Sequence, residues 1–332
     1  MRSPSTITLA LLISAVTTHA AHAGLNCAAA KSASEKAICA DPGALAADAA
    51  LGEAFNKLRD ALLPEEKAGL LASQRAWLQR RDADCAGAKN PGACLREATE
   101  KRLRYLSGKP EAGPGAPFTL SPGFFVAPGG PRKTKVTVDA IKIADPAVPG
   151  AAAFNKAMGE IYRDAQVEKG FTKQELADMP AREFEYSLTT RIVYASPKLV
   201  SVHGDYYADA GGAHPNGGTQ DLNFDPAGGR MFSLADLVDA EAQKKIIAHC
   251  LAEVKKQKVA QQKDTGEKEP LPTDPKDVAE ATSDFRHWSF EAAGALVSYD
   301  AYAVGAYVEG SFECRLPYSF LKSLAKPAFP LP

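Results

Sequence analysis

The chain has 332 residues, 45% of them apolar, and a formal net charge of −1. That length can hold two cores, and that apolar content excludes an intrinsically disordered chain. The near-neutral balance, with no recognisable nucleic-acid motif, argues against a nucleic-acid partner.

The first residues read as a processing segment. Arg2 precedes an apolar run from Ile7 to Val16, and Ala21-His22-Ala23 supplies a small-x-small cleavage site before Gly24. The run is short for a bilayer. Cys27 follows Asn26 where lipoprotein processing needs a small residue. Residues 1–23 are therefore expected to be a signal peptide, cut after Ala23. The mature chain is expected in the periplasm, with no later membrane helix.

Six cysteines follow the cleavage site: Cys27, Cys39, Cys85, Cys94, Cys250 and Cys314. An even number in an exported chain points to disulfides. Four lie in the first hundred residues and two near the end, which suggests two separately stapled domains. No pair has zinc-ligand spacing, so no metal or other cofactor is expected.

Residues 24–107 read as helices. Ser32 and Glu35 fit a capping box, and that helix should stop near Asp41-Pro42-Gly43. A second helix is expected from about Ala44 to Leu62, with Leu51, Phe55, Leu58 and Leu62 in one stripe. A third starts near Pro64 and aligns Leu70, Gln74, Trp77, Arg81 and Cys85 along one side. Gln74, Trp77 and Arg81 suit a packed, hydrogen-bonded face better than a catalytic row. Asn90-Pro91-Gly92 turns the chain into a fourth helix. This geometry favours pairing Cys27 with Cys39 and Cys85 with Cys94. Crossed pairing is the alternative.

The stretches CAAAKSASEKAICADPGALAADAALGEAF, QRAWLQRRDADC and CLREATEKRLRYL resemble the secreted LprI-type lysozyme-inhibitor N-terminal domain. Cys27, Lys31, Glu35, Cys39, Asp48, Gln74, Trp77, Arg81, Cys85 and Cys94 carry the resemblance, and Phe55 stands where a Tyr is usual. The resemblance implies a small disulfide-stapled all-α domain and lysozyme as partner.

Residues 108–131 contain six Gly and six Pro, and a linker is expected over 108–133. Within it, Phe118, Leu120, Phe124, Phe125 and Val126 are apolar enough to dock on a neighbouring surface. The second domain, 134–332, begins with a strand-like run from Lys135 to Ile143 and a helix from about Ala151 to Glu168. Glu183 to Tyr194 then alternates as a half-buried antiparallel strand.

Two strands, Lys198 to Tyr207 and Thr219 to Phe224, should flank a turn cluster, Gly211-Gly212-Ala213-His214-Pro215-Asn216-Gly217-Gly218. Four Asp and no Lys or Arg lie between Asp205 and Asp225. Asp205, Asp209, His214, Pro215 and Asn216 are the candidate partner-binding residues, an acidic tip with one imidazole.

A helix is expected from Phe232 through Val254, then a polar, mobile stretch from Lys255 to Asp277. Strands are expected at Trp288 to Phe290, Ala295 to Tyr299 and Ser311 to Leu316, with a short helix from Tyr318 to Leu324. A bridge between Cys250 and Cys314 would tie the long helix to the last strand, the alternative being two buried thiols. Strands and helices without regular alternation indicate an α+β domain with an antiparallel sheet.

The segments GGAHPNGGTQDLNFDPAGGRMFSLADLV and WSFEAAGALVSYDAYAVGAYVEGSFECRLPYSFLKSL resemble the C-terminal domain of the lysozyme-sensing anti-sigma factor RsiV, over roughly 185–325. Ala301 stands where a Pro often precedes the Tyr. No membrane helix or sigma-binding segment accompanies the match, so lysozyme or wall binding is implied, not signalling.

Three functions follow. The first is a soluble periplasmic lysozyme-binding protein, an inhibitor protecting peptidoglycan, whose imidazole meets the two carboxylates of the lysozyme cleft. The class of lysozyme is open. The second is an envelope module that binds peptidoglycan without inhibition, with Tyr206, Tyr207 and Trp288 stacking on sugars. The third is a metal-dependent hydrolase using His203, Asp205, Asp209 and His214. It lacks HExxH, GxSxG and any nucleophile–base pair, so a non-enzyme is expected.

Overall fold

The computed structural model describes residues 24–128, 135–161, 172–178, 184–265 and 271–332. The signal-peptide expectation, over 1–23, lies outside the described residues.

Four helices open the fold: α1 (Ala33–Ala40), α2 (Pro42–Ala61), α3 (Pro64–Ala86) and α4 (Pro91–Leu106). The Ser32 hydroxyl accepts from the Glu35 amide, and the Glu35 carboxylate accepts from the Ser32 amide, so the capping box forms as read. Asp41 and Asn90 cap α2 and α4, each with a Pro in the first turn. Disulfides join Cys27 to Cys39 and Cys85 to Cys94, the local pairing.

The Pro- and Gly-rich stretch departs from the expected linker. Leu120–Pro128 forms strand β1, paired antiparallel with β2 (Lys135–Ile143) at the end of a seven-stranded sheet. Proline is tolerated there because an edge strand leaves half its amides without a ladder partner. The last part of the expected linker, 129–133, lies outside the described residues.

The sheet continues through β3 (Glu185–Ala195), β4 (Val200–Asp209), β6 (Leu222–Asp225) and β7 (Arg230–Met231), and β5 (Asn216–Thr219) pairs β4 alone. Ladders are antiparallel except β2 with β3, which run parallel. That pair needs a crossover, which contains α5 (Ala151–Ile161) and α6 (Lys173–Asp178). The C-terminal part of the helix expected over 151–168 and the start of the strand expected at Glu183 lie outside the described residues.

A second sheet, three antiparallel strands, joins β8 (Trp288–Phe290), β9 (Gly294–Tyr299) and β10 (Phe312–Pro317). Around it lie α7 (Leu234–Leu237), α8 (Ala240–Thr265), α9 (Pro275–Ser283) and α10 (Tyr318–Leu321). Cys250 of α8 and Cys314 of β10 are bonded, as expected. The stretch read as mobile, 255–277, is helical at both ends, with α8 running to Thr265 and α9 beginning at Pro275, while 266–270 lie outside the described residues. A buried Lys258 explains this. It is 2% exposed, and its ammonium meets Glu309 at 2.8 Å and donates to the Val304 and Pro272 carbonyls. A charge so far from water holds its position only with all partners in place.

The helical domain has a small core of its own, around Ile38, Ala44, Cys85 and Leu95. Leu51, Leu70, Tyr105 and Leu106 instead belong to the core of the large sheet, with Phe124, Val138, Ile141 and Phe154. Gly69 lets α3 sit directly on β1, where a Cβ would come within 2.8 Å of the Phe124 backbone. A buried ion pair crosses the same seam: Arg102 Nη1 lies 3.0 Å from Asp139 Oδ2, and Ser73 and Gln74 accept from the same guanidinium.

Candidate functional site

The candidate tip is a hairpin. Asp205 pairs with Thr219, Tyr206 with Gly218, Tyr207 with Gly217 and Ala208 with Asn216, so the flanking strands reach further into the loop than expected. Asp209 accepts from the Gly211 amide at 2.9 Å, and Gly211 takes φ +79°, a left-handed angle suited to glycine.

The hairpin is docked, not free-standing. Thr219 donates through its amide and hydroxyl to the Asp300 carboxylate at 3.0 to 3.1 Å. A Cβ on Gly218 would collide with that same carboxylate, so the close approach requires glycine. His214 Nε2 meets the Tyr302 hydroxyl at 3.0 Å, and His214 Nδ1 meets the Pro215 carbonyl at 3.0 Å. The Tyr307 ring stacks on the imidazole with centroids 3.6 Å apart, and its hydroxyl donates to the Pro215 carbonyl. Tyr302 is 60% exposed and holds φ +75°, a strained angle for a residue with a Cβ. Val308, in the same connection between β9 and β10, is 85% exposed. Beneath this loop lies the Lys258–Glu309 pair, with Glu309 also accepting from the Ala306 amide.

Asp205 points to other company. It lies 3.2 Å from His203 Nε2, and Asp221 lies 2.6 Å from His203 Nδ1. Burial works against the imidazolium, but the hydrogen bonds it donates to Asp205 and Asp221 outweigh it and push the His203 pKa up to about 10. Burial likewise opposes the Asp205 anion, yet the neighbouring cation holds its pKa below the usual carboxylate range. His203 is thus a buried cation within β4, the strand that carries the tip.

The structure therefore brings His214, Pro215 and Asn216 together at the tip with Asp209, while Asp205 lies lower on β4 with His203. The four residues considered as metal ligands do not converge. Among the described residues, no group of three or more His, Cys, Asp or Glu is placed to hold a metal ion. Trp288, read as a sugar platform, is fully buried and donates to the Thr282 carbonyl. Tyr302, Tyr307 and Asp300 were missed as site residues. Their signal was the paired tyrosines of Ala301-Tyr302-Ala303-Val304-Gly305-Ala306-Tyr307, but nothing local ties them to His214.

Two family models match the chain. Residues 27–106 match "Lysozyme inhibitor LprI", and residues 235–319 match "Protein of unknown function (DUF3298)". The first match spans the four opening helices and the second most of the region around the second sheet, each a likeness of part of the chain. No curated protein matches it. Among solved structures, it is similar to a DUF3298 family protein from Pseudomonas aeruginosa PAO1, at 21% identity, covering 64% of this chain and 95% of that one, with a TM-score of 0.45. It is also similar to a DUF3298 family member from Bacteroides fragilis, at 12% identity, covering 63% and 94%, with a TM-score of 0.43.

Within the LprI domain, Gln74, Trp77 and Arg81 form the packed face expected of them. Trp77 has Arg81 at 5.0 Å and Arg102 at 5.9 Å from its ring centroid, and Gln74 accepts from Arg102. The DUF3298 match includes Asp300, Tyr302 and Tyr307 but stops short of His214, so the candidate tip joins a matched loop to an unmatched hairpin. Among the described residues no helix is long and apolar enough to cross a membrane.

Proposed function

We propose that this chain is an exported, periplasmic lysozyme-binding protein that inhibits lysozyme and so protects peptidoglycan. The observation that carries the reading is the match of residues 27–106 to a lysozyme-inhibitor family. The resemblance of the second domain to a lysozyme sensor points to the same partner. Export rests on residues 1–23, read as a signal peptide cleaved after Ala23.

In this reading the tip is the docking element of the second domain. Asp209, His214, Pro215 and Asn216 form it, Asp205 lies lower on the same strand, and Tyr302 and Tyr307 complete its surface. Both nitrogens of His214 already have partners, so the ring is held in one orientation before any encounter. A lysozyme carboxylate would replace the Tyr302 hydroxyl at Nε2. Preset geometry lowers the ordering cost of association, and the Asp residues complement a basic enzyme.

The test is to titrate the mature protein into lysozymes of different classes while following lysis of purified cell walls. Saturable inhibition of at least one class is the expected result. Binding with undiminished lysis would leave a non-inhibitory envelope protein. The absence of binding to every class would refute the reading.

A further inference from the structure

The seam where α3 leans over β2 and β3 encloses a cleft of about 340 Å³. Its floor presents Thr137, Ser187 and Thr189, and its α3 wall presents Arg75 and Arg80. Thr137 pairs in register with Ser187, and Ser187 with Tyr207, so these three share one face across neighbouring strands. Tyr207 is 39% exposed at the outer end of that row.

Among the described residues, neither Arg75 nor Arg80 forms an ion pair or a side-chain hydrogen bond, and the hydroxyls of Thr137, Ser187 and Thr189 are likewise unbonded. Of the other charges nearby, Lys135 and Glu185 lie 3.9 Å apart and offset each other, and Asp205, in register with Thr189, interacts electrostatically with Arg80 and leaves Arg75 unopposed. The arginines therefore leave the cleft net positive. Guanidinium forks match carboxylates and phosphates, hydroxyls spaced by one strand suit a polyol, and an exposed tyrosine offers a ring face for stacking.

We propose that this seam binds an acidic saccharide, a sugar bearing a carboxylate or a phosphate. Arg75 and Arg80 take the acidic group, Thr137, Ser187 and Thr189 take sugar hydroxyls, and Tyr207 flanks the ring. The site stands apart from the lysozyme reading, because a positive cleft repels a basic enzyme. Its α3 wall lies within the first matched segment and its strand floor outside both, so neither matched segment has it alone.

Calorimetric titration of the mature protein tests this with three probes: the disaccharide of N-acetylglucosamine and N-acetylmuramic acid, glucosamine 6-phosphate, and neutral chitobiose. At least one acidic sugar should bind about tenfold or more tighter than chitobiose, and which one does separates carboxylate from phosphate. The double variant Arg75→Gln/Arg80→Gln should lose that preference at a nearly unchanged melting temperature, since both side chains are exposed and form no hydrogen bond among the described residues. Tyr207→Ala should weaken acidic and neutral sugars alike. Equal affinity for all three sugars, no binding of any, or an unaltered preference in the double variant would overturn the proposal.

Discussion

Tyr307 lies flat against His214, with ring centroids 3.6 Å apart and planes 16° from parallel. The contact clamps the hairpin tip to a loop of the second sheet. Tyr302 closes it from the side through its hydroxyl at 3.0 Å.

The clamp makes His214 the most informative substitution. If the tip meets lysozyme, His214→Ala should lower affinity by about thirtyfold, the effect of a central anchor worth about 2 kcal/mol. Tyr302→Phe keeps the ring and removes only the hydroxyl, so it should cost less. Surface plasmon resonance with immobilised lysozyme reads both. A drop in melting temperature with unchanged inhibition would assign the clamp to stability and move the inhibitory surface to the LprI domain.

Asp209→Asn should act on a different rate. The amide oxygen can still accept from the Gly211 amide, so the turn is kept while one charge is lost. Association with a basic lysozyme should slow and become less sensitive to salt, with dissociation nearly unchanged. An effect confined to dissociation would argue against steering.

His203 sets a pH dependence of folding. Its pKa is raised from 6.5 to about 10 in the fold. Its stabilising contribution is fully present below the unfolded pKa of about 6.5 and is lost as pH rises through the folded value. Between those limits the folded chain holds the extra proton, so stability should fall by up to about 1.4 kcal/mol per pH unit. Urea midpoints measured from pH 6 to 9 should decline. A flat profile would show that the imidazolium is not held between Asp205 and Asp221.

The LprI domain should depend on the sheet. Leu51, Leu70, Tyr105 and Leu106 are buried in the core of the large sheet, so a fragment of residues 24–107 exposes them. That fragment should melt well below the intact protein, its own disulfides notwithstanding. Arg102→Met in the full chain should destabilise it by about 3–5 kcal/mol, because Asp139 is left charged and buried. Calorimetry of both tests the point, and a fragment as stable as the intact chain would show autonomy.

Much of the local structure was legible in the sequence, because its causes are local. Ser32 and Glu35 cap a helix from within one turn. Cys85 and Cys94 bracket the tight turn that brings them together. Lys135 to Ile143 and Trp288 to Phe290 show their strands through their own residues. The candidate tip was legible for the same reason: glycine and proline mark a turn wherever it is placed.

What the sequence by itself determined was therefore most of the elements, a favoured cysteine pairing with its alternatives still open, and the resemblance of each half to a family. The tertiary structure alone decided what those elements face. It made Leu120–Pro128 an edge strand where composition suggested a linker. It ordered Lys258 through Glu309, placed Tyr302 and Tyr307 on His214, and closed a cleft between α3 and the sheet. The physical reason is that propensities and caps act within a few residues, whereas buried ion pairs, ring stacking and shared cores join residues distant in the chain. Those contacts depend on which surfaces meet, and the residue pattern of any one segment does not contain that.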